Sequence, residues 1–309
     1  MSENREPVIC GVGAVVRDIL IELSAPLQTD RKNSIKKIRR LGGGPCATAL
    51  VAASKLGSRC KYIGVIADDE AGDFLLEDFQ RYGVSTEYVT RAEGKNSLLS
   101  YVLINPFDGT RTCLVSRDNI PEVVLSCEQK QVVATSDLLL VDGNNLDAAI
   151  SAATIAQANG VNVMIDAGGM YKGIERLMPL ADYLVPSEEF ALTYTGTTTA
   201  EDAAIAMYEE YKPKCVVITQ GENGGICCLR GEITYYDSFK VEVKDTNGAG
   251  DVFHGALATA VCRGWDIDKA CVFASAAAAL KCTGIGSRSS APDYDTVIRF
   301  IRSSEITNE

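Results

Sequence analysis

Asp245-Thr246-Asn247-Gly248-Ala249-Gly250-Asp251-Val252-Phe253-His254-Gly255-Ala256-Leu257 puts three small residues directly before an acid and an apolar run that continues to Cys262. That run predicts a helix over Ala249–Cys262. A helix start leaves backbone N–H groups without intrahelical partners, and the dipole makes that end positive. Gly248, Ala249 and Gly250 carry nothing bulky enough to keep an anion from those amides. Asp251 would then lie beside the anion, placed to accept a proton from an attacking hydroxyl. On the short Gly-x-Gly-Asp core alone, an aspartate N-cap after a flexible turn is the weightier reading.

Composition bounds the partners. The chain has 309 residues, 46% of them hydrophobic, which suits one large α/β domain or two small ones and leaves no case for disorder. A formal net charge of −11 argues against a general nucleic-acid binder, so anionic ligands need local positive groups. No run reaches the ~18 uncharged apolar residues of a membrane span. Met1–Glu6 is polar and Pro7–Val16 is short for a signal peptide, so a cytoplasmic location is expected. The eleven cysteines form no C-x-x-C pair and His254 is the only histidine, so zinc spacing is absent. Most cysteines sit in apolar runs and are expected to fill the core; His254 and Trp265 are expected to be structural.

Working outward, short aliphatic runs alternate with helical patterns, the rhythm of βαβ units around a mostly parallel sheet flanked by helices. Strands are predicted at Pro7–Val12, Lys61–Val65, Leu138–Val141, Val161–Ile165, Tyr183–Val185 and Val216–Thr219. Helices are predicted at Pro45–Leu56, Ala71–Tyr82, Asp147–Asn159, Ala200–Tyr211, Asp266–Lys281 and Tyr294–Ser303. With no linker or repeat, residues 1–309 read as a single α/β domain. Two intervals, approximately 14–41 and 96–118, break the rhythm with paired strands, the second pair turning at Asn105–Gly109. A small antiparallel sheet built from such insertions would suit a lid over an α/β site.

The full 245–257 stretch resembles the signature of the ribokinase-like (PfkB-type) carbohydrate kinases, Asp-Thr-x-Gly-Ala-Gly-Asp-x-Phe. Gly42–Gly57 is similar to the family's N-terminal signature, about 200 residues upstream. The resemblance implies a three-layer ribokinase-like fold with a small β-sheet lid, sometimes shared across a homodimer. It also implies an ATP- and Mg²⁺-dependent kinase acting on a small-molecule sugar, with Asp251 as catalytic base and Gly248, Ala249 and Gly250 as the anion hole. Asp18, Gly42 and Gly43 match sugar-contacting positions, although Ala47 stands where many members have a sugar-binding Asn. Thr219, Gly221, Gly224, Ser187 and Asn247 match the nucleotide side. Glu188 corresponds to a residue that organises Mg²⁺ through water, and Asp245 to one that holds a monovalent cation, K⁺ in some members.

Further motif detail is similar to the sulfofructose kinase branch. Lys32 matches a sulfonate-contacting lysine there, within 31–40, where six residues in ten are basic; such a run more commonly makes a solvated face. Val115 and Asn144 stand where that branch has Asn and Arg, so Asn144 is a substrate-side position without the branch's charge. Three rival functions stay open: a nucleoside kinase, which an aromatic such as Tyr101 in the lid would favour; a hydroxymethylpyrimidine-type kinase, which would lack this lid; and a non-catalytic sugar sensor.

Overall fold

The computed structural model describes residues 6–105, 107, 111–117 and 119–306. Pro106, Asp108 and Gly109 of the expected turn, and residue 118 of the second insertion, lie outside the described residues. In chain order the strands are β1 (Val8–Val12), β2 (Val16–Leu23), β3 (Ile35–Gly43), β4 (Arg59–Ala67), β5 (Val84–Ser85), β6 (Val89–Ala92), β7 (Leu99–Ile104), β8 (Arg111–Ser116), β9 (Leu138–Asp142), β10 (Asn162–Ala167), β11 (Tyr183–Pro186), β12 (Cys215–Thr219), β13 (Gly225–Leu229) and β14 (Glu232–Tyr236). The α-helices are α1 (Pro45–Lys55), α2 (Glu70–Arg81), α3 (Cys127–Thr135), α4 (Leu146–Ala158), α5 (Glu188–Thr195), α6 (Ala200–Tyr211), α7 (Ala249–Cys262), α8 (Ile267–Cys282) and α9 (Tyr294–Ile306).

The large sheet runs β14-β13-β12-β11-β10-β9-β1-β4-β5, with β6 also on β4. It is parallel from β12 to β5 and ends in the antiparallel hairpin β13–β14. Its central strands are apolar on both faces because helices cover both. On β9, Leu138 and Leu140 enter the core shared with α1, α7 and α8, whereas Leu139 and Val141 enter the core shared with α4 and α6. The strands that the sequence pattern does not mark, β5, β6, β13 and β14, lie at or beside the sheet's edges.

The second sheet has the order β3-β2-β7-β8. Its two outer pairs are antiparallel as expected, but β2 and β7 run parallel, so the sheet is mixed. The second hairpin arrives only after α1, β4 and α2, and a crossover of that length permits parallel pairing. Gly42 and Gly43 close β3 rather than forming a turn; the turn is made by Gly44 at φ 94°. A Cβ on Gly44 would meet the Ala14 carbonyl oxygen at 2.5 Å.

Helices α1 and α7 cross almost in backbone contact, which brings the two glycine-rich segments together. A Cβ on Gly255 would lie 2.1 Å from the Ala49 carbonyl oxygen and 3.0 Å from the Ala52 Cβ. Gly255→Ala gains about 1 kcal/mol of helix propensity but must force the two backbones apart. A net loss of about 2 kcal/mol is therefore expected in urea denaturation, and an unchanged or higher midpoint would contradict this packing.

Candidate active site

Gly248 is the N-cap of α7 at φ 81°, a left-handed conformation that L side chains resist. Space imposes the same choice, because a Cβ there would sit 2.4 Å from the Ser287 Cβ. The Ala249 amide donates to the Thr246 carbonyl and the Val252 amide to the Gly248 carbonyl, fixing the first turn. Gly250 faces open space, with no atom within 4 Å of where a Cβ would be. Asp251 is half-buried, in the first turn.

Two cavities meet at this turn. The smaller, about 380 Å³, is lined by Asn247, Gly248, Asp251, Asp18, Gly43, Thr48, Asn144 and by Ser100, Val102, Cys113 and Val115 of the small sheet. The larger, about 960 Å³, is lined by Ala249, Gly250, Thr219, Gly221 and Gly224 and walled by Tyr236, Phe239, Val243, Ala278 and Ala279. Consecutive residues of one helical turn thus face different cavities.

In the smaller cavity Asp18 is 9% exposed. Burial pushes its carboxyl up to about 6, opposed by Arg288 and a Ser100 hydrogen bond. Gly43 must be glycine because a Cβ would fall 2.0 Å from Asp18 Oδ2. Gly42 does not line the cavity; a Cβ there would meet Arg288 Nη1 at 2.3 Å. Arg288 is buried, donates Nη1 to Asp78 Oδ2 at 2.6 Å and Nη2 to the Gly43 carbonyl at 2.6 Å, and so fixes the glycine strand against α2. Asn144 is held by its neighbours: Arg117 donates to its Oδ1, and its Nδ2 donates to the Tyr171 hydroxyl at 2.9 Å.

Burial first, and then Asp166 and Asp142, hold the Asp251 carboxyl well above the usual carboxylate range, with Arg288 opposing. Asp142 ends β9 and accepts from the amides of Ala14 (2.9 Å), Cys46 (3.2 Å) and Asn144 (2.8 Å), which ties three substrate-side segments to one carboxylate. His254 is packed as expected: Nε2 donates to the Val185 carbonyl at 3.0 Å, and Nδ1 lies 3.4 Å from Asp166 Oδ2.

Several expected residues lie elsewhere. Lys32 is exposed in the connection between β2 and β3 and lines neither cavity. The basic run is a solvated face, and Arg117 is the cation that does line the smaller cavity. Asn247, expected on the nucleotide side, lines the smaller cavity instead. Ser187 lines neither cavity; it caps α5, accepting from the Phe190 amide at 3.2 Å, and bridges to Thr219. Tyr101 lies on the face opposite Ser100 and Val102, away from the cavity.

Glu188 opens α5, and its Oε1 accepts from Gln220 at 2.7 Å. Among the described residues no three acidic, His or Cys side chains form a metal cage. One carboxylate fits Mg²⁺, which keeps waters and phosphate oxygens as its other ligands. Asp245 does not fit K⁺. Its Oδ1 accepts from the Asn247 amide (2.9 Å), its Oδ2 from the Gly286 amide (2.8 Å), and the Lys281 ammonium lies 3.9 Å from Oδ2. Hydrogen-bond donors and a cation stand where oxygen ligands would be needed.

Sequence reading missed the apolar wall of the larger cavity. Ser238–Val243 alternates like a strand but has no partner strand among the described residues, and the alanines Ala276–Ala279 of α8 carry no signal beyond helix. It also missed Ser287 and Arg288, whose roles depend on contacts with residues 42, 43, 78 and 248.

The family described as pfkB family carbohydrate kinase matches residues 9–294. The chain is 27% identical over 265 residues to the ribokinase of Haemophilus influenzae, covering 84% of this chain and 87% of that one. It is 25% identical over 292 residues to the ketohexokinase of Mus musculus, covering 90% and 97%. The Arabidopsis thaliana ribokinase, solved with ribose and ATP, superposes with a TM-score of 0.86 at 26% identity, over 96% of this chain and 98% of that one.

The buried Asp18 generates a pH test. A carboxyl with a raised folded-state pKa contributes stability that is complete below about 4 and lost as the pH rises through about 6. Asp18→Asn is therefore expected to gain on the wild type across that window, by roughly 2 kcal/mol, in urea titrations at pH 4 and pH 8. A pH-independent difference would contradict the burial of this charge.

Proposed function

The chain belongs to the pfkB family of carbohydrate kinases and is an ATP-dependent enzyme of that class; from this premise we propose that it phosphorylates a hydroxymethyl group of a ketose, pentose or acidic sugar derivative, with Asp251 as the base. One observation carries the reading. Asp251 lines the smaller cavity, while Ala249 and Gly250 of the same turn line the larger one. ATP in the larger cavity, its base against Phe239, Val243 and the α8 alanines, would bring its γ-phosphate to the start of α7. A sugar held by Asp18 and Gly43 would place its hydroxyl beside Asp251.

Phosphoryl transfer passes through a loose transition state, so positioning and charge stabilisation dominate and proton removal comes late. The Gly250 and Asp251 amides and the positive end of α7 meet the transferring charge; one well-aimed donor contributes about 3 kcal/mol. Burial and neighbouring carboxylates make Asp251 a stronger base than a solvated aspartate. Glu188 would hold Mg²⁺ through water, and the ion would supply further charge neutralisation. The small sheet acts as a lid whose inner residues Ser100, Val102 and Val115 exclude water from the sugar. Its outer face carries Ile38 (45% exposed), Tyr101 (37%) and Leu114 (55%), an apolar stripe suited to a second copy of the chain. Placing Tyr101 outside removes the lid aromatic that favoured a nucleoside.

An ADP-release screen across ketoses, pentoses, acidic sugars and nucleosides tests the substrate class. One or more sugars should give saturable release, and silence across the sugars would favour a sensor. With the accepted sugar, Asp251→Asn is expected to keep ATP binding and lose about 10³-fold in kcat; near-wild-type turnover would reject the base. Leu114→Lys should shift the mass seen by light scattering from dimer to monomer, and an unchanged mass would reject this dimer face.

A further inference from the structure

Lys281, in the last turn of α8, is fully buried at 0% exposure, and no step proposed above uses it. A buried ammonium is tolerated only when closely paired and hydrogen-bonded. Its Nζ donates to the Asp245 carbonyl oxygen at 2.5 Å and stands 3.9 Å from Asp245 Oδ2. The Asp245 carboxylate also accepts the amides of Asn247 and Gly286, while the amides of Lys244 and Asp245 both donate to the Cys282 carbonyl. The ammonium therefore sits where two segments join. One runs from Asp245 into the anion-binding turn at Gly248. The other, residues 284–288, carries Ser287, which packs on Gly248, and Arg288, which holds Gly43.

A free monovalent cation at this junction would need oxygens turned towards it, and the Asp245 carbonyl and Oδ2 that could supply them already face Nζ. It would also stand close to a fixed positive charge: two like charges ~4 Å apart repel by about 4 kcal/mol at the effective dielectric of a protein surface. We propose that Lys281 is the built-in monovalent cation of this kinase, a positioning residue whose ammonium pins the anion-binding turn to the 284–288 segment, so that turnover needs no potassium. The α8 C-terminus favours a positive charge there, which adds to the pairing. The proposal rests on the kinase reading above for its effect on turnover, but not for its effect on the fold of the junction.

The test has two arms. In the first, ADP release by the wild type with its accepted sugar is compared in potassium, sodium and choline chloride at equal ionic strength. Rates within about twofold are expected, because a cation with no site shifts no equilibrium; activation of about tenfold or more by potassium would overturn the proposal. Lys281→Ala should lower kcat more than it raises KM and recover in part with potassium or ammonium but not with choline. A variant of wild-type activity, or one that no cation restores, would also overturn it. The second arm needs no sugar. Thermal melting of Lys281→Ala should rise with potassium over choline, as a newly vacated site requires, whereas that of the wild type should not. Potassium-specific stabilisation of the wild type contradicts the proposal even if the variant cannot be folded or no sugar is accepted.

Discussion

The first turn of α7 is the constraint on which everything else depends. Its dipole end and free amides exist only because Gly248 adopts φ 81° with no side chain, flush against Ser287. A β-carbon there would displace the 284–288 segment, and with it Arg288, Gly43 and the wall beside Asp18. One backbone conformation therefore sets the spacing between the two cavities. That spacing is what phosphoryl transfer needs, because the acceptor hydroxyl and the donor phosphate must approach in line.

Charge explains how the site is built inside an acidic protein. Asp166, Asp142 and Asp18 all act on Asp251, and Asp166 acts on Asp142 as well. Burial and mutual repulsion raise Asp251 and Asp142, while Arg288, backbone amides and the α7 dipole hold the cluster together. The same carboxylates do separate tasks. Asp142 organises amides from three segments, Asp78 anchors Arg288, and Asp251 faces the cavity.

What was legible in the sequence was mostly local. A helix start, three small residues and an acid are written in seven consecutive positions, and their consequence does not depend on the rest of the fold. The parallel strands were legible because burial on both faces makes them uniformly aliphatic. The cysteines read as core filler, and eight of the eleven are buried. What escaped was long-range. Ser238–Val243 becomes a cavity wall only because α8 lies opposite with alanines. Arg117 meets Asn144, which in turn bonds Tyr171, only when the small sheet packs over β9, and Lys281 reads as a helix-ending lysine until the loop after Asp245 folds over it. Lys32 matches a sulfonate-contacting lysine by resemblance alone, and the tertiary structure leaves it exposed between β2 and β3.

The central claim is geometric: one helical turn grips the phosphate on one side and presents a base to the sugar on the other. A crystal structure with ADP, aluminium fluoride and the accepted sugar tests it most directly. The fluoride group should bond the Gly250 and Asp251 amides, with the Asp251 carboxylate on the sugar hydroxyl in line with the β-phosphate. A fluoride group bound away from the start of α7, or an Asp251 side chain turned from the sugar, would contradict it.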